Sequence, residues 1–271
     1  MTPKLVVVDL DGTVVGHDNR RIPPSPAVVK ALAQVRAAGV PVAVATGRSI
    51  WDALPTATDL DLSTGLISTT HGAITYDLDA GRIITSKFFD PAEGVRRFTA
   101  ADPTVALAVE VDEFGWIHTE TFKRDFESTW ARTVGPAELA GLRAVRLVAR
   151  VPQLAYRGMG VPCPDSARLA ADAALDPAMY HVEAGYNGWI DVGPAGIDKA
   201  TGVADIAAHY GVSAAETVVF GDANNDLPMF GWAGHAVAMG QATDNVKAAA
   251  DEVAPSVYED GVAVVLRRWF G

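Results

Sequence analysis

Val6-Val7-Val8-Asp9-Leu10-Asp11-Gly12-Thr13 decides how the rest of the chain is read. Three consecutive β-branched apolar residues read as a buried strand. Two carboxylates follow, one residue apart, and a Gly-Thr turn closes the stretch. Residues i and i+2 of a strand share a face, so a strand continuing through Asp11 projects both carboxylates the same way. A strand ending at Asp9 lets the loop set them around one small site. Either arrangement needs a cation or a shared proton to offset the repulsion. Mg²⁺, with its preference for oxygen ligands, suits the pair better than zinc. The same short pattern also occurs in calcium loops and plain turns, so the rest of the chain has to decide.

Working outward, Ser25 reads as an N-cap with Pro26 at the first helical position. Val28, Leu32 and Val35 follow at helical spacing, and Gly39 ends the helix. Val42-Ala43-Val44-Ala45 is a second buried strand, running into Thr46-Gly47-Arg48-Ser49. Strand, helix, strand implies a parallel pair with a right-handed crossover. Both polar motifs then lie at the carboxyl ends of neighbouring strands, where open α/β sheets bind ligands. Gly47 permits close approach of a ligand, and a short helix from Ser49 points its N-terminus at an anion.

Gly65 to Thr69 reads as a third strand, and Ile74–Tyr76 with Arg82–Thr85 as a hairpin. Beyond it the pattern changes to α+β material with antiparallel pairs: a helix over 91–101, strands over 105–111 and 115–119, a helix over 122–133, and further elements to 184. Trp189-Ile190-Asp191-Val192-Gly193 is read as the return to the first pattern. Lys199, in the first turn of a helix running to Tyr210, goes against the preference of helix N-termini for anions. Thr217-Val218-Val219-Phe220-Gly221-Asp222 is another apolar strand ending in an acid, followed by Ala223-Asn224-Asn225-Asp226. Three strand ends, carrying Asp9/Asp11, Thr46 and Asp222, thus converge on one edge of one sheet.

The 271 residues allow one large domain or a core with a smaller insertion. A net charge of −11 argues against non-specific nucleic-acid binding and against attraction to an anionic membrane. The single cysteine, Cys163, forms no internal disulfide, which fits a cytoplasmic location. The first residues read as neither a signal peptide nor a membrane span.

These residues together resemble the haloacid dehalogenase superfamily of phosphatases, most closely its Cof-type, type IIB branch. The resemblance rests on Asp9-Leu10-Asp11-Gly12-Thr13, Ala45-Thr46-Gly47-Arg48, Ile197-Asp198-Lys199 and Gly221-Asp222-Ala223-Asn224-Asn225-Asp226, in that order and widely spaced. It implies an α/β fold: a Rossmann-like, doubly wound parallel-sheet core, residues 1–82 and 189–271, with an inserted α+β cap domain, residues 83–188. It implies that Asp9 is the nucleophile, forming an aspartyl-phosphate, and that Asp11 is the acid and base at the leaving oxygen and the attacking water. Mg²⁺ is expected at Asp9, Asp222 and Asp11, the last through its backbone carbonyl. Thr46, Gly47, Leu10, Lys199 and Asn225 are expected on the phosphoryl oxygens, with Arg48 supporting the loop or reaching the substrate. Asp226 would orient Lys199 or a metal-bound water.

The expected partner is a small phosphorylated metabolite, such as a sugar phosphate, a nucleotide or a cofactor phosphate, turned over by a monomer or homodimer. The cap would select it, with Glu183, Tyr186, Asn187, His71 and Arg157 as candidate contacts. Two positions depart from the family pattern: His71 stands where many relatives have Asn, and Ala200 where many have Gly. A phosphomutase-like sugar-phosphate enzyme, and a non-catalytic binding protein on the same fold, are the alternative readings.

Overall fold

The computed structural model describes residues 2–17, 22–112, 115–122, 131–151, 163–184 and 188–271. The chain divides into two compact units, Met1–Thr85 with Asp198–Gly271, and Ser86–Ile197. The first unit starts with β1 (Leu5–Val8), α1 (Pro26–Ala37), β2 (Val42–Ala45), α2 (Ile50–Asp59), β3 (Leu66–Thr69), β4 (Ile74–Asp77) and β5 (Arg82–Ser86). The second holds α3 (Ala92–Ala101), β6 (Ala106–Val111), β7 (Gly115–His118), β8 (Ala131–Thr133), α4 (Pro136–Leu139), β9 (Arg146–Arg150), α5 (Pro164–Ala173), β10 (Tyr180–Ala184) and β11 (Trp189–Pro194). The first resumes with α6 (Lys199–Tyr210), β12 (Thr217–Gly221), α7 (Leu227–Trp232), β13 (His235–Ala238), α8 (Asp244–Ala248), β14 (Glu252–Val253) and α9 (Gly261–Phe270).

The first unit is an eight-stranded sheet in the order β14-β13-β12-β1-β2-β3-β4-β5. The strands from β14 to β3 pair in parallel, and β4 turns back antiparallel to β3. From β1 the chain moves outward through β2 and β3, then resumes on the opposite flank with β12. The order therefore reverses between β1 and β12, the switch point at which such sheets carry their ligand crevice.

Alternation along β1 shows why the sheet is covered on both sides. Val6 and Val8 pack into one apolar layer with Val28, Leu32 and Val35 of α1 and Val262 and Leu266 of α9. Leu5 and Val7 pack into the other with Val203 and Ile206 of α6 and Met229 of α7. A strand buried on both faces reads as an unbroken apolar run, which is what Leu5 to Val8 shows.

Two caps fix the helices. Ser25 Oγ accepts from Val28 N at 3.2 Å, with Pro26 at the first helical position, and Gly39, at φ +79° directly after the C-cap Ala38, ends the helix as expected. At α6, Asp198 Oδ1 accepts from Thr201 N at 3.0 Å in a capping box, and Gly211 ends the helix with φ +64°.

The second unit is a six-stranded sheet, β10-β11-β9-β6-β7-β8, antiparallel except for the β7–β8 pair. Leu107, Val109, Leu147, Ala149, Ile190 and Val192 form one face of it with Val95, Phe98 and Leu169 from α3 and α5. Two expectations change here. Trp189–Pro194 is a strand of this sheet, paired to β9 and β10, and not the return to the first unit. Its Trp-Ile-Asp-Val alternation fits a sheet with one face packed on helices, unlike the continuous apolar runs of the first unit. The return accordingly falls at Asp198 and the departure after Thr85, where 189 and 82 were expected. Ala131–Thr133, expected within a helix, is a strand alongside β7, and residues 123–130 lie outside the described residues.

Between β3 and β4 the backbone makes a left-handed excursion at Thr70 (φ +52°), His71 (φ +52°) and Gly72 (φ +94°). A Cβ on Gly72 would fall 2.0 Å from the Asp198 carbonyl oxygen, directly against the residue that caps α6. Gly72→Ala should therefore cost about 2 kcal/mol or more, from backbone strain and displacement of the cap together. Gly81, at φ +62° with only the Tyr76 hydroxyl within 4 Å, provides the control, and its Ala variant should cost about 1 kcal/mol. Urea unfolding of both variants measures this, and equal losses would remove the α6 contact as the cause.

Candidate active site

Asp9 follows β1 directly and is 4% exposed. Its backbone N–H donates to Phe220 O at 3.0 Å, extending the β1–β12 pairing by one residue. Asp222 follows β12 on the adjacent strand end and is also buried. Lys199, the first residue of α6, is 2% exposed and reaches both strand ends. Its Nζ donates to Asp9 Oδ1 at 2.8 Å and to Asp226 Oδ1 at 2.6 Å. The second oxygen of Asp226 accepts from the backbone amides of Asp222 (2.9 Å) and Ala223 (3.0 Å). Gly221 makes room for this, since a Cβ there would fall 2.4 Å from Asp226 Cγ.

The charge balance is uneven. Carboxylate oxygens of Asp9, Asp222 and Asp226 lie within 4.8 Å of one another, against one buried ammonium. Burial pushes the Asp9 carboxyl up to about 8; Lys199 opposes that rise and Asp226, Asp222 and Asp11 add to it. Burial also raises Asp222, partly offset by His17. For Lys199 burial works against the charge, but Asp226 and Asp9 outweigh it and hold the ammonium above its ordinary range. A buried excess of negative charge requires protonation or a further cation.

The donor set fits a hard divalent cation. It is all oxygen, and Asp222 Oδ1 is buried with no hydrogen-bond partner among the described residues. Asp226 already has Lys199 on one oxygen and two amides on the other, so Asp9 and Asp222 are the carboxylates suited to hold such an ion.

The Asp11 carboxylate is not brought into this cluster. Arg48 grips it from both sides, Nε to Oδ2 at 2.8 Å and Nη2 to Oδ1 at 2.6 Å. The planar fork of a guanidinium matches a carboxylate in this two-bond geometry. Arg48 Nη1 also donates to Thr56 Oγ1 at 2.8 Å and to Asp52 O at 3.3 Å. Arg48, expected to support the loop or to reach the substrate, is engaged in the first way and ties the Asp11 loop to α2. Any share of Asp11 in cation binding falls to its backbone carbonyl.

Thr46 is buried after β2, its hydroxyl accepting from Arg48 N at 3.2 Å. Gly47 stands beneath the His71 ring, where a Cβ would lie 2.5 Å from Cε1. Leu10 is fully buried, and its carbonyl accepts from Thr13, Val14 and Val15 to close the turn. Asn225 Oδ1 is buried without a partner among the described residues. Ala200 follows Lys199 in the first turn of α6. Glu183 lies in β10 of the second unit, while Arg157, Tyr186 and Asn187 lie outside the described residues.

Two residues that sequence reasoning passed over shape this loop. Gln241 donates through Nε2 to Gly12 O at 2.5 Å and accepts from Val257 N through Oε1 at 3.0 Å. His17 Nε2 lies 2.6 Å from Asp222 Oδ2, and that hydrogen bond raises the imidazole pKa. Neither carried a signal, because a lone glutamine or histidine in a loop has no periodicity or spacing to mark it.

The profile of the haloacid dehalogenase-like hydrolases matches residues 6–125 and 167–266. The chain belongs to this family. The haloacid dehalogenase-like chain is 27% identical over 99% of its length to the Bacillus subtilis 5-amino-6-(5-phospho-D-ribitylamino)uracil phosphatase YitU, covering 98% of that protein. It is 28% identical to the HMP-PP phosphatase of Serratia proteamaculans, covering 98% of this chain and 95% of the other. Among solved structures, its fold matches that of the HAD subclass IIB sugar phosphatase BT4131 with a TM-score of 0.79 at 24% identity, over 98% of both chains. The protein is a Cof-type hydrolase of this family and a phosphatase. Among the described residues no helix is long and apolar enough to cross a membrane.

The elevated Asp9 pKa has a measurable consequence in EDTA. Asp9 ionises near 3.8 when unperturbed and near 8 in the folded chain, so between those values the native state holds a proton that the unfolded state has released. Stability is then greatest at the acid end of this window and declines as pH rises towards 8. Urea unfolding from pH 5 to 8.5 should show this decline, and Asp9→Asn should flatten it. A profile that Asp9→Asn leaves unaltered would remove Asp9 as its source.

Proposed function

We propose that this enzyme is a Mg²⁺-dependent phosphatase that hydrolyses a small phosphomonoester through an aspartyl-phosphate on Asp9. The observation that carries this reading is the buried set of Asp9, Lys199, Asp226 and Asp222 at two adjacent strand ends. A carboxylate held by an ammonium beside an acidic pair is the arrangement that in-line attack on an anionic phosphorus needs.

In this reading an Asp9 oxygen attacks phosphorus, the bond from phosphorus to the leaving oxygen breaks, and Asp11 delivers a proton to that oxygen. Water then attacks the aspartyl-phosphate, Asp11 takes its proton, and inorganic phosphate leaves with Asp9 restored. Arg48 sets where Asp11 stands, and the proton transfer requires the carboxyl to give up one of its two bonds to Arg48. Lys199, Thr46, the amides of Leu10 and Gly47, and the Asn225 side chain serve the phosphoryl oxygens. Mg²⁺, held by Asp9 and Asp222 with the Asp11 carbonyl, supplies the positive charge that lets a carboxylate approach a phosphate.

The named relatives act on phosphorylated metabolites with different leaving groups, which supports a small phosphorylated substrate without choosing one. A sugar phosphate, a nucleotide and a cofactor phosphate all remain in the class. The test is phosphate release from a panel of such esters, with Mg²⁺ and with EDTA, for wild type and Asp9→Asn. Release should require both Mg²⁺ and Asp9, with Asp9→Asn lowering the rate by at least about three orders of magnitude. Turnover at wild-type rates by Asp9→Asn would exclude the aspartyl-phosphate route.

A further inference from the structure

We propose that His17 is a positioning residue for the cation site: it holds one oxygen of Asp222 so that the other is presented to Mg²⁺. This rests on the Mg²⁺ reading above and adds a residue to it. The two oxygens of Asp222 are in unlike surroundings. Oδ2 lies 2.6 Å from His17 Nε2, while Oδ1 is buried and without a partner among the described residues. A carboxylate pinned at one oxygen can turn only about that contact, which restricts where the free, buried oxygen stands. Outer hydrogen bonds of this kind orient ligating groups and are typically worth about 10–100-fold in metal affinity.

The backbone is built to allow the contact. Gly12 has φ +79°, and a Cβ there would fall 2.1 Å from Asp222 Oδ2 and 2.3 Å from His17 Nε2. Any side chain at residue 12 would occupy the space where the imidazole and the carboxylate meet. The turn itself is held by Gly12 N to Val15 O at 2.7 Å and by Gln241 on the Gly12 carbonyl. His17 therefore comes from the same loop as Asp9 and Asp11 and locks onto the neighbouring strand end. The nucleophile loop and the second acidic strand end are joined by a side chain as well as by the sheet.

The test is calorimetric titration of the full chain with MgCl₂ alone, for wild type, His17→Ala and His17→Gln, with melting temperatures taken in EDTA. His17→Ala should weaken Mg²⁺ binding by about 10–100-fold. His17→Gln, whose amide can still donate to Asp222, should recover much of the loss, and the melting temperature in EDTA should not follow the affinity. Should His17→Ala fail to fold, His17→Gln against the shorter His17→Asn makes the same comparison. Wild-type affinity in the variants would overturn the role of His17 and leave the phosphatase reading intact. A loss of affinity that tracks the melting temperature, with no recovery in His17→Gln, would reduce His17 to a structural contact. Absence of Mg²⁺ binding by the wild type would overturn both readings.

Discussion

Three buried carboxylates around one buried ammonium are the constraint on which the rest of this fold depends. Removing ions from water is costly, and an ion pair recovers that cost only when its hydrogen bonds are complete. Here they are close to complete at Asp226, which takes the ammonium on one oxygen and two backbone amides on the other. They are incomplete at Asp222, whose Oδ1 is left without a hydrogen bond among the described residues. The same shortfall raises the Asp9 carboxyl, because burial and neighbouring charge outweigh the single lysine. A site that cannot neutralise itself leaves its charge balance open to a cation, the place proposed above for Mg²⁺.

That arrangement needs a scaffold able to hold like charges together, and the parallel sheet provides it. Asp9 and Asp222 leave neighbouring strands whose registers are locked by the pairs Leu5–Thr217 to Val8–Phe220. Lys199 arrives from a helix whose start is fixed by a capping box and by contact with the left-handed turn at Gly72. Packing on both faces of β1 leaves that strand no direction in which to relax. The repulsion among the carboxylates is thus balanced against core packing instead of being relieved by movement.

Much of this was legible in the sequence. Continuous apolar runs ending in acids gave β1 and β12, the Ser-Pro start gave α1, and their order implied that the acids meet. Lys199 stood out because it violates a local preference, which is where functional residues tend to show. What stayed hidden has physical reasons. Trp189–Pro194 carries apolar residues at every second position, and a short strand of that kind does not announce which sheet it joins. The grip of Arg48 on Asp11 depends on side-chain reach across two loops, which spacing along the chain does not encode. His17 and Gln241 are single polar residues whose partners lie 205 and 229 positions away.

The point at which the chain leaves the first unit and the point at which it returns have a consequence for how such proteins diversify. Both acidic strand ends, and the lysine that binds Asp9 and Asp226, belong to the unit formed by Met1–Thr85 and Asp198–Gly271. Among the described residues, the β1–β12 pairing and the bonds of Lys199 are made within that unit. For an inserted stretch, the entropy of bringing its two ends together grows only with the logarithm of its length, about 0.6 kcal/mol per doubling. The insertion can therefore lengthen, shorten or change its surface while the charge balance of the other unit stays as it is. One chemical centre is in this way free to keep its reaction while the part of the chain between its two halves is rewritten.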